Sequence, residues 1–269
     1  MKYLKKYSTD AEYQADTKSI PQVSWVDETE KVEYEFPVPP QHDYSRDYLT
    51  LVALGNGSIS FNASTGNNLL SYSTDDGSTW TQMTGQAVSV PVIEGDKVLW
   101  KGNAVPTSTY TGIGTFSATT QFNPEGNAMS LLFGDDFQDQ TDLSGKNNAF
   151  ARLFKSATIV TAENLILPAT KLSSYCYWDM FNDSTIQTPP QLPATSVPEY
   201  AYCGMFLYCR SLTTAPELPA TTLAIYCYKD MFNSCSNLTN APVLSATTLA
   251  NYCYRDMFMA CIKLNSITC

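Results

Sequence analysis

LPATTLAIYCYKDMF, residues 218–232, decides the fold, because the chain carries four versions of it. Aligned on the leucine, it recurs as LPATKLSSYCYWDMF from Leu167, LPATSVPEYAYCGMF from Leu192 and LSATTLANYCYRDMF from Leu244, at spacings of 25, 26 and 26 residues. A fixed period in the twenties marks a solenoid, whose units cannot bury a core singly and must stack on their neighbours. Such a stack offers a long surface for recognition rather than a catalytic pocket.

Within the unit from Leu218 to Val243, Leu223, Cys227, Met231 and Cys235 recur every four residues. That is an apolar stripe if the stretch is helical, with Lys229 and Asn233 toward solvent and Tyr226 at the edge. The preceding Leu212-Thr213-Thr214-Ala215 reads as a short strand ending at Pro216, since proline cannot extend a ladder. One short strand and a turn or two of helix per unit is the leucine-rich-repeat plan.

All eight cysteines lie in this region. Cys176, Cys227 and Cys253 form one column, Cys209, Cys235 and Cys261 another, and Cys203 stands off-column with an expectation of exposure. Zinc needs closely spaced pairs, usually with histidine, and neither is present. Disulfides need Cα atoms within about 7 Å, whereas packed helices lie roughly 8–10 Å apart. Small core residues are the expectation.

The tyrosines recur in register as Tyr175/Tyr177, Tyr200/Tyr202, Tyr226/Tyr228 and Tyr252/Tyr254. Helical residues two apart point about 200° apart, so at most one column is well exposed. Tyr175, Tyr200, Tyr226 and Tyr252 are therefore candidates for a glycan-binding stripe, since aromatics with hydroxyls suit sugar rings. The competing reading is that periodic aromatics pack between repeats.

Upstream, residues 1–40 read as a docking element. Thr9 and Glu12 have capping-box spacing for a short helix, and VSWV and KVEYEF flank DETE as a β-hairpin. Val23, Trp25, Val32, Tyr34 and Phe36 share a face too large for so small a unit to cover, so they are the expected partner-docking residues. Pro37-Val38-Pro39-Pro40 is a stiff linker. Residues 41–113 alternate apolar and polar in YLTLVAL, SISF, VSVPVI and KVLW, the pattern of an Ig-like antiparallel sandwich of roughly seven strands. Ser73–Trp80 fits the S-x-D-x-G-x-T-W Asp-box of sialidase propellers, but without several blades or an arginine cluster it reads as a hairpin staple. Residues 114–166 are a transition and N-terminal cap, with Phe150-Ala151-Arg152-Leu153-Phe154 and LILPA as a degenerate repeat. The leucine-rich repeats occupy residues 167–269. They reach Cys269, just before the next leucine would fall, without a cap, so either a longer natural chain or another chain over the open end is expected, the first being favoured. The expected class is mainly β and multidomain.

Net charge is −10, and residues 167–269 hold five Lys/Arg against six Asp/Glu, leaving −9 upstream. An acidic chain is a poor match for nucleic acid. The polar run after Lys2, Lys5 and Lys6 is no secretory signal, and no apolar stretch is long enough to span a membrane. His42, the single histidine, has no partner cysteine in the sequence around it, and no nucleophile, zincin or phosphate-loop motif is present, so neither catalysis nor a cofactor or metal is expected. Asp135, Asp136, Asp139 and Asp142 lack calcium-loop spacing and read as a solvated turn.

Met231-Phe232 followed by Cys235 and Leu238 resembles the BspA-like leucine-rich repeats of bacterial surface proteins. The opening KYLKKYSTDAEYQADTKSIPQVSWVDETEKVEY, GNAMSLLFGDDF at residues 126–137 and AENLILPAT at residues 162–170 resemble proteins of gut Bacteroidetes and their crAss-like phages. The resemblance covers nearly the whole chain, although repeat 1 has Ser184 where cysteine is expected and lacks one residue. It implies a non-enzymatic head or tail fibre or decoration protein, often trimeric. Such a protein docks to a capsid or tail protein by its N-terminus and binds a bacterial surface glycan or protein through its repeats. It would be made in the host cytoplasm and released by lysis as part of the virion. The alternative is a bacterial cell-surface adhesin.

Overall fold

The computed structural model describes residues 47–64, 70–106 and 112–267. The docking residues Val23, Trp25, Val32, Tyr34 and Phe36, and His42, lie outside them. The described residues are mainly β, with one α-helix of four residues and a 3-10 turn at Gly134–Asp136.

Alternation of apolar and polar residues builds the first part. β1 (Leu49–Ala53) buries Leu49, Leu51 and Ala53 and turns the residues between them outward. It pairs antiparallel with β6 (Lys97–Lys101) on one side and β8 (Phe122–Asn127) on the other, setting Leu51 opposite both Val98 and Pro124. With β3 (Ser71–Ser73), β4 (Thr81–Gln82) and β9 (Leu165–Ile166) the sheet runs β4-β3-β6-β1-β8-β9. A second sheet runs β5-β2-β7, from β5 (Ala87–Val92), β2 (Gly57–Ala63) and β7 (Gly114–Ala118). The two meet at fully buried Trp100, whose ring lies 6.2 Å from Phe61 and 5.0 Å from Phe116. Residues 114–127, expected as transition, thus supply a strand to each sheet. α1 (Ser130–Phe133) follows, and the Ser130 hydroxyl accepts from the Leu49 N–H and donates to the Trp100 carbonyl.

Between β3 and β4 the Asp-box turn is held by Asp75, which accepts from the Thr79 hydroxyl at 2.7 Å, the Ser73 hydroxyl at 2.7 Å and the Thr79 N–H at 2.9 Å. Asp76 and Gly77 have φ of 53° and 81°, as a tight hairpin requires. The Thr79 hydroxyl first, then Ser73, lowers the Asp75 carboxyl to about 2. A depressed folded pKa means this turn's carboxylate bonds are fully present above about 3.8 and are lost as pH falls through about 2. A pH titration followed by NMR should therefore show the Thr79 amide shifting with a midpoint near 2; a midpoint near 4 would mean the bonds do not form.

From residue 148 onward the backbone adopts a different pattern. The stretch expected as helix is instead a run of turns. In the fourth rung, Cys227, Lys229, Met231, Asn233 and Cys235 each donate an N–H to the carbonyl three residues earlier. The alternate N–H groups of Tyr226, Tyr228, Asp230, Phe232 and Ser234 donate to Asn251, Cys253, Arg255, Met257 and Met259 of the next repeat. Every fourth residue is left-handed, with φ of 58° at Tyr226, 55° at Asp230 and 63° at Ser234, the sign a type II turn needs at its third position. Non-glycine residues in that region cost about 1–2 kcal/mol each, offset here by hydrogen bonds to the neighbouring rung and by burial of the intervening pairs. Side chains accordingly point inward and outward in pairs: Cys227 and Tyr228 inward, Lys229 and Asp230 outward, Met231 and Phe232 inward. Asn233, expected in solvent, is buried and donates to Asp230 at 3.0 Å.

The same ten-residue ladder starts at Asn148, Tyr175, Tyr200, Tyr226 and Tyr252, all with φ near 60°. Its inward rings stack from rung to rung. Phe154, Phe181, Phe206, Phe232 and Phe258 lie 5.4–5.7 Å apart with interplanar angles of 16° or less. Phe116 of β7 extends the column, stacking on Phe154 at 5.6 Å, and its N–H donates to the Leu153 carbonyl at 2.8 Å. The β part of each repeat is slight: β10 (Ser196–Val197) pairs in parallel with β11 (Thr222–Leu223). The strand expected at Leu212–Ala215 is a single bridge, Thr214 to Asn240.

Candidate functional site

Tyr175, Tyr200, Tyr226 and Tyr252 occupy the first left-handed position of successive rungs, which points them outward. Their rings stack at 4.7, 4.9 and 5.0 Å with interplanar angles of 10°, 21° and 5°. The first three are half-buried and Tyr252 is 55% exposed. The faces that these rings turn to one another are covered, so between neighbours the strip presents ring edges and hydroxyls, and the Arg255 guanidinium lies over the Tyr252 ring at 5.8 Å. Burial first, then Tyr226, raises the Tyr200 phenol, which keeps it a neutral donor. The companion column Tyr177, Tyr202 and Tyr228 is buried, with rings 5.6–5.7 Å apart. The hydroxyls of Tyr177 and Tyr202 find no partner among the described residues, so ring contact and burial hold that column.

Flanking the outer strip, the third position past each tyrosine carries Trp178, Cys203, Lys229 and Arg255. Trp178 meets Tyr175 edge-on at 6.3 Å, and the Arg152 guanidinium lies over its ring at 4.2 Å. Behind it Asp179 is held by Asn182 at 3.2 Å and Arg152 at 3.5 Å, and burial pushes its carboxyl up. Gly204 stands where three of the other rungs have Asp (Asp179, Asp230 and Asp256) and the first has Arg152, and a Cβ there would collide with Asp179 Oδ1. Further along, Lys229 pairs with Asp230 and Arg255 with Asp256, each at 3.2 Å. The strip is therefore a row of phenol edges bordered by a tryptophan and two cations. It can hydrogen-bond a hydroxyl-rich ligand along its length but cannot sandwich a ring between tyrosines. Arg152, Trp178 and Asp179 were missed from sequence; aligning the repeats column by column singles out Trp178, while Arg152 belongs to the degenerate first rung.

The seven described cysteines are free and buried, including Cys203, which is only 5% exposed. Cys209, Cys235 and Cys261 each donate the thiol to the carbonyl of Phe181, Phe206 or Phe232 at 3.0 Å. The acidic stretch disperses: Asp135 accepts from Tyr48 at 2.6 Å and pairs with Lys101 at 2.7 Å, while Asp142 takes the Ser144 N–H and Lys171. No cluster of metal-ligating residues forms among the described residues, and no helix there is long and apolar enough to cross a membrane. The chain matches no protein-family model, no curated protein and no solved structure.

Proposed function

We propose that this chain is a non-enzymatic recognition subunit of a phage virion, a head or tail fibre or a decoration protein. In this proposal an Ig-like sandwich is the spacer and a leucine-rich-repeat solenoid the binding surface, with residues 1–40 docking to the particle. One observation carries the binding role. The outer tyrosines stay in unbroken register across four rungs, giving a polar-aromatic strip whose length suits an extended polymer, for which a glycan is the natural class. Weak contacts at each phenol gain from many copies on one particle.

Tyr226→Phe keeps the ring stack and removes one hydroxyl. A lost hydrogen bond of about 0.5–1.5 kcal/mol weakens glycan binding roughly two- to twelvefold, with melting unchanged. Unchanged binding of host capsular polysaccharide by this variant, in calorimetry against the parent chain, would remove the strip from the site. The reading as a whole is tested by peptide mass spectrometry on gradient-purified particles from a culture carrying the gene. A fixed copy ratio to the major capsid protein is expected. Recovery only from the cell envelope would overturn the virion reading in favour of a surface adhesin.

A further inference from the structure

The first rung departs from the others in charge. In the second and fourth rungs the fifth place of the ladder is an aspartate held by an asparagine at the eighth, Asp179 by Asn182 at 3.2 Å and Asp230 by Asn233 at 3.0 Å. In the first rung those two places are Arg152 and Lys155. Arg152 is fixed from two sides. Its guanidinium lies over the Trp178 ring at 4.2 Å, and its Nε meets Oδ2 of Asp179, a carboxylate only 7% exposed, at 3.5 Å. Room for that carboxylate comes from the next rung, where Gly204 has no Cβ to collide with Oδ1. An arginine already stacked and ion-paired loses little freedom on binding, and its planar fork matches a carboxylate.

The fork itself is open. Among the described residues, neither Nη group of Arg152 nor the Lys155 ammonium has a hydrogen bond or ion pair, and the Arg152 side chain is 30% exposed. Lys155 is half-buried and lies close enough to oppose the upward push of burial on the Asp179 carboxyl. Two cations thus share one carboxylate, because Asp183, the other acid of the second rung, is taken by Arg210 at 3.5 Å. This surplus sits at the head of the tyrosine strip, where Trp178 meets Tyr175 edge-on at 6.3 Å. Farther along, Lys229 and Arg255 are each paired with the aspartate beside them, so the surplus does not recur. We propose that Arg152 and Lys155 form an anion subsite for the carboxylate of an acidic sugar, a uronic acid unit of the bound polymer, with the two Nη groups of Arg152 donating to its two oxygens. Trp178 and Asp179 are positioning residues that act through the guanidinium. The proposal deepens the glycan reading and rests on it for the rest of the polymer.

Calorimetry of the full chain against host capsular polysaccharide, before and after chemical reduction of its carboxyl groups to alcohols, tests the subsite. Reduction should weaken binding at least about tenfold, as the loss of charge-assisted hydrogen bonds implies. Arg152→Lys keeps the charge that faces Asp179 but not the fork, and should weaken binding of the native polymer while leaving the reduced polymer unchanged. Lys155→Gln breaks no ion pair of the folded chain, so it tests the subsite even if Arg152→Lys loosens Asp179; a loss of roughly two- to fivefold is expected for the native polymer alone. Equal binding of the native and reduced polymers would overturn the proposal and leave the tyrosine strip standing. Failure of the glycan reading shows differently, as no binding of either polymer. In that case the Trp178 indole N–H resonance, followed during titration with sodium glucuronate, decides the subsite by itself. A saturable shift that neither glucose nor acetate reproduces upholds it, and no shift, or an equal one with either control, overturns it.

Discussion

Phe206→Ala is expected to lower stability by about 3–5 kcal/mol, the largest loss of any single truncation in the repeats. The side chain is fully buried, and its ring is covered on one face by Phe181 at 5.4 Å and on the other by Phe232 at 5.7 Å. Truncation therefore loses the transfer energy of the ring, leaves a cavity between two rungs and breaks an aromatic column that starts at Phe116. The neighbouring rungs cannot collapse into that cavity, because their separation is fixed by backbone hydrogen bonds such as Phe206 N–H to Met231 at 2.9 Å. Phe258→Ala is the matched comparison, since that ring is only partly buried and among the described residues stacks on Phe232 alone. Denaturant unfolding of both variants should give a clearly smaller loss at residue 258. Equal losses would show that the ring column is not what binds the rungs together.

The second large effect is chemical. Burial pushes the thiols of Cys176, Cys203, Cys209 and Cys227 up to about 12. At pH 8 a thiol of that pKa is thiolate in roughly one molecule in ten thousand, and only the thiolate is nucleophilic. Alkylation by iodoacetamide, mapped by peptide mass spectrometry, should therefore be at least about a thousandfold slower at these four positions in the native protein than in denaturant. Reducing agent should leave the melting temperature unchanged, because the described cysteines are free. Rapid native labelling of Cys203, or a melting temperature that falls with reductant, would contradict the burial described here.

The sequence shows the period plainly and conceals the backbone that makes it. Apolar residues four apart at Leu223, Cys227, Met231 and Cys235 lie close enough to the helical period of 3.6 to read as one face of a helix. What separates the two is the left-handed residue in every fourth place, and the usual signal for that is glycine. Of the fifteen left-handed positions in the five rungs, only Gly204 is glycine; the rest are Tyr, Asp, Ser, Asn, Arg and Ala. The error carried into the cysteines. A helical spacing made like positions look too distant to approach one another, whereas the rungs are hydrogen-bonded neighbours in which the thiol has a better partner in the carbonyl of the rung before. The strands of the two sheets were easier, because period-2 alternation in YLTLVAL and SISF has no competing reading. The outer tyrosines were readable as a column, but that their faces would be spent on each other follows only from a separation of about 5 Å between rings.

The ten-residue ladder also sets where this chain tolerates changes of length. Its starting points at residues 148, 175, 200, 226 and 252 are 27, 25, 26 and 26 residues apart, yet within each ladder the left-handed residues always fall at the first, fifth and ninth places. All of the slack is thus held in the return segment between ladders, including the residue missing from the first full repeat. One residue added inside a ladder would shift every later side chain by one place, turning half of the inward pairs toward water and moving each donor off its acceptor. The same residue added to a return segment lengthens a loop. Drift, duplication and deliberate grafting should therefore be absorbed between Cys209 and Tyr226, or between Cys235 and Tyr252, and rejected a few residues to either side.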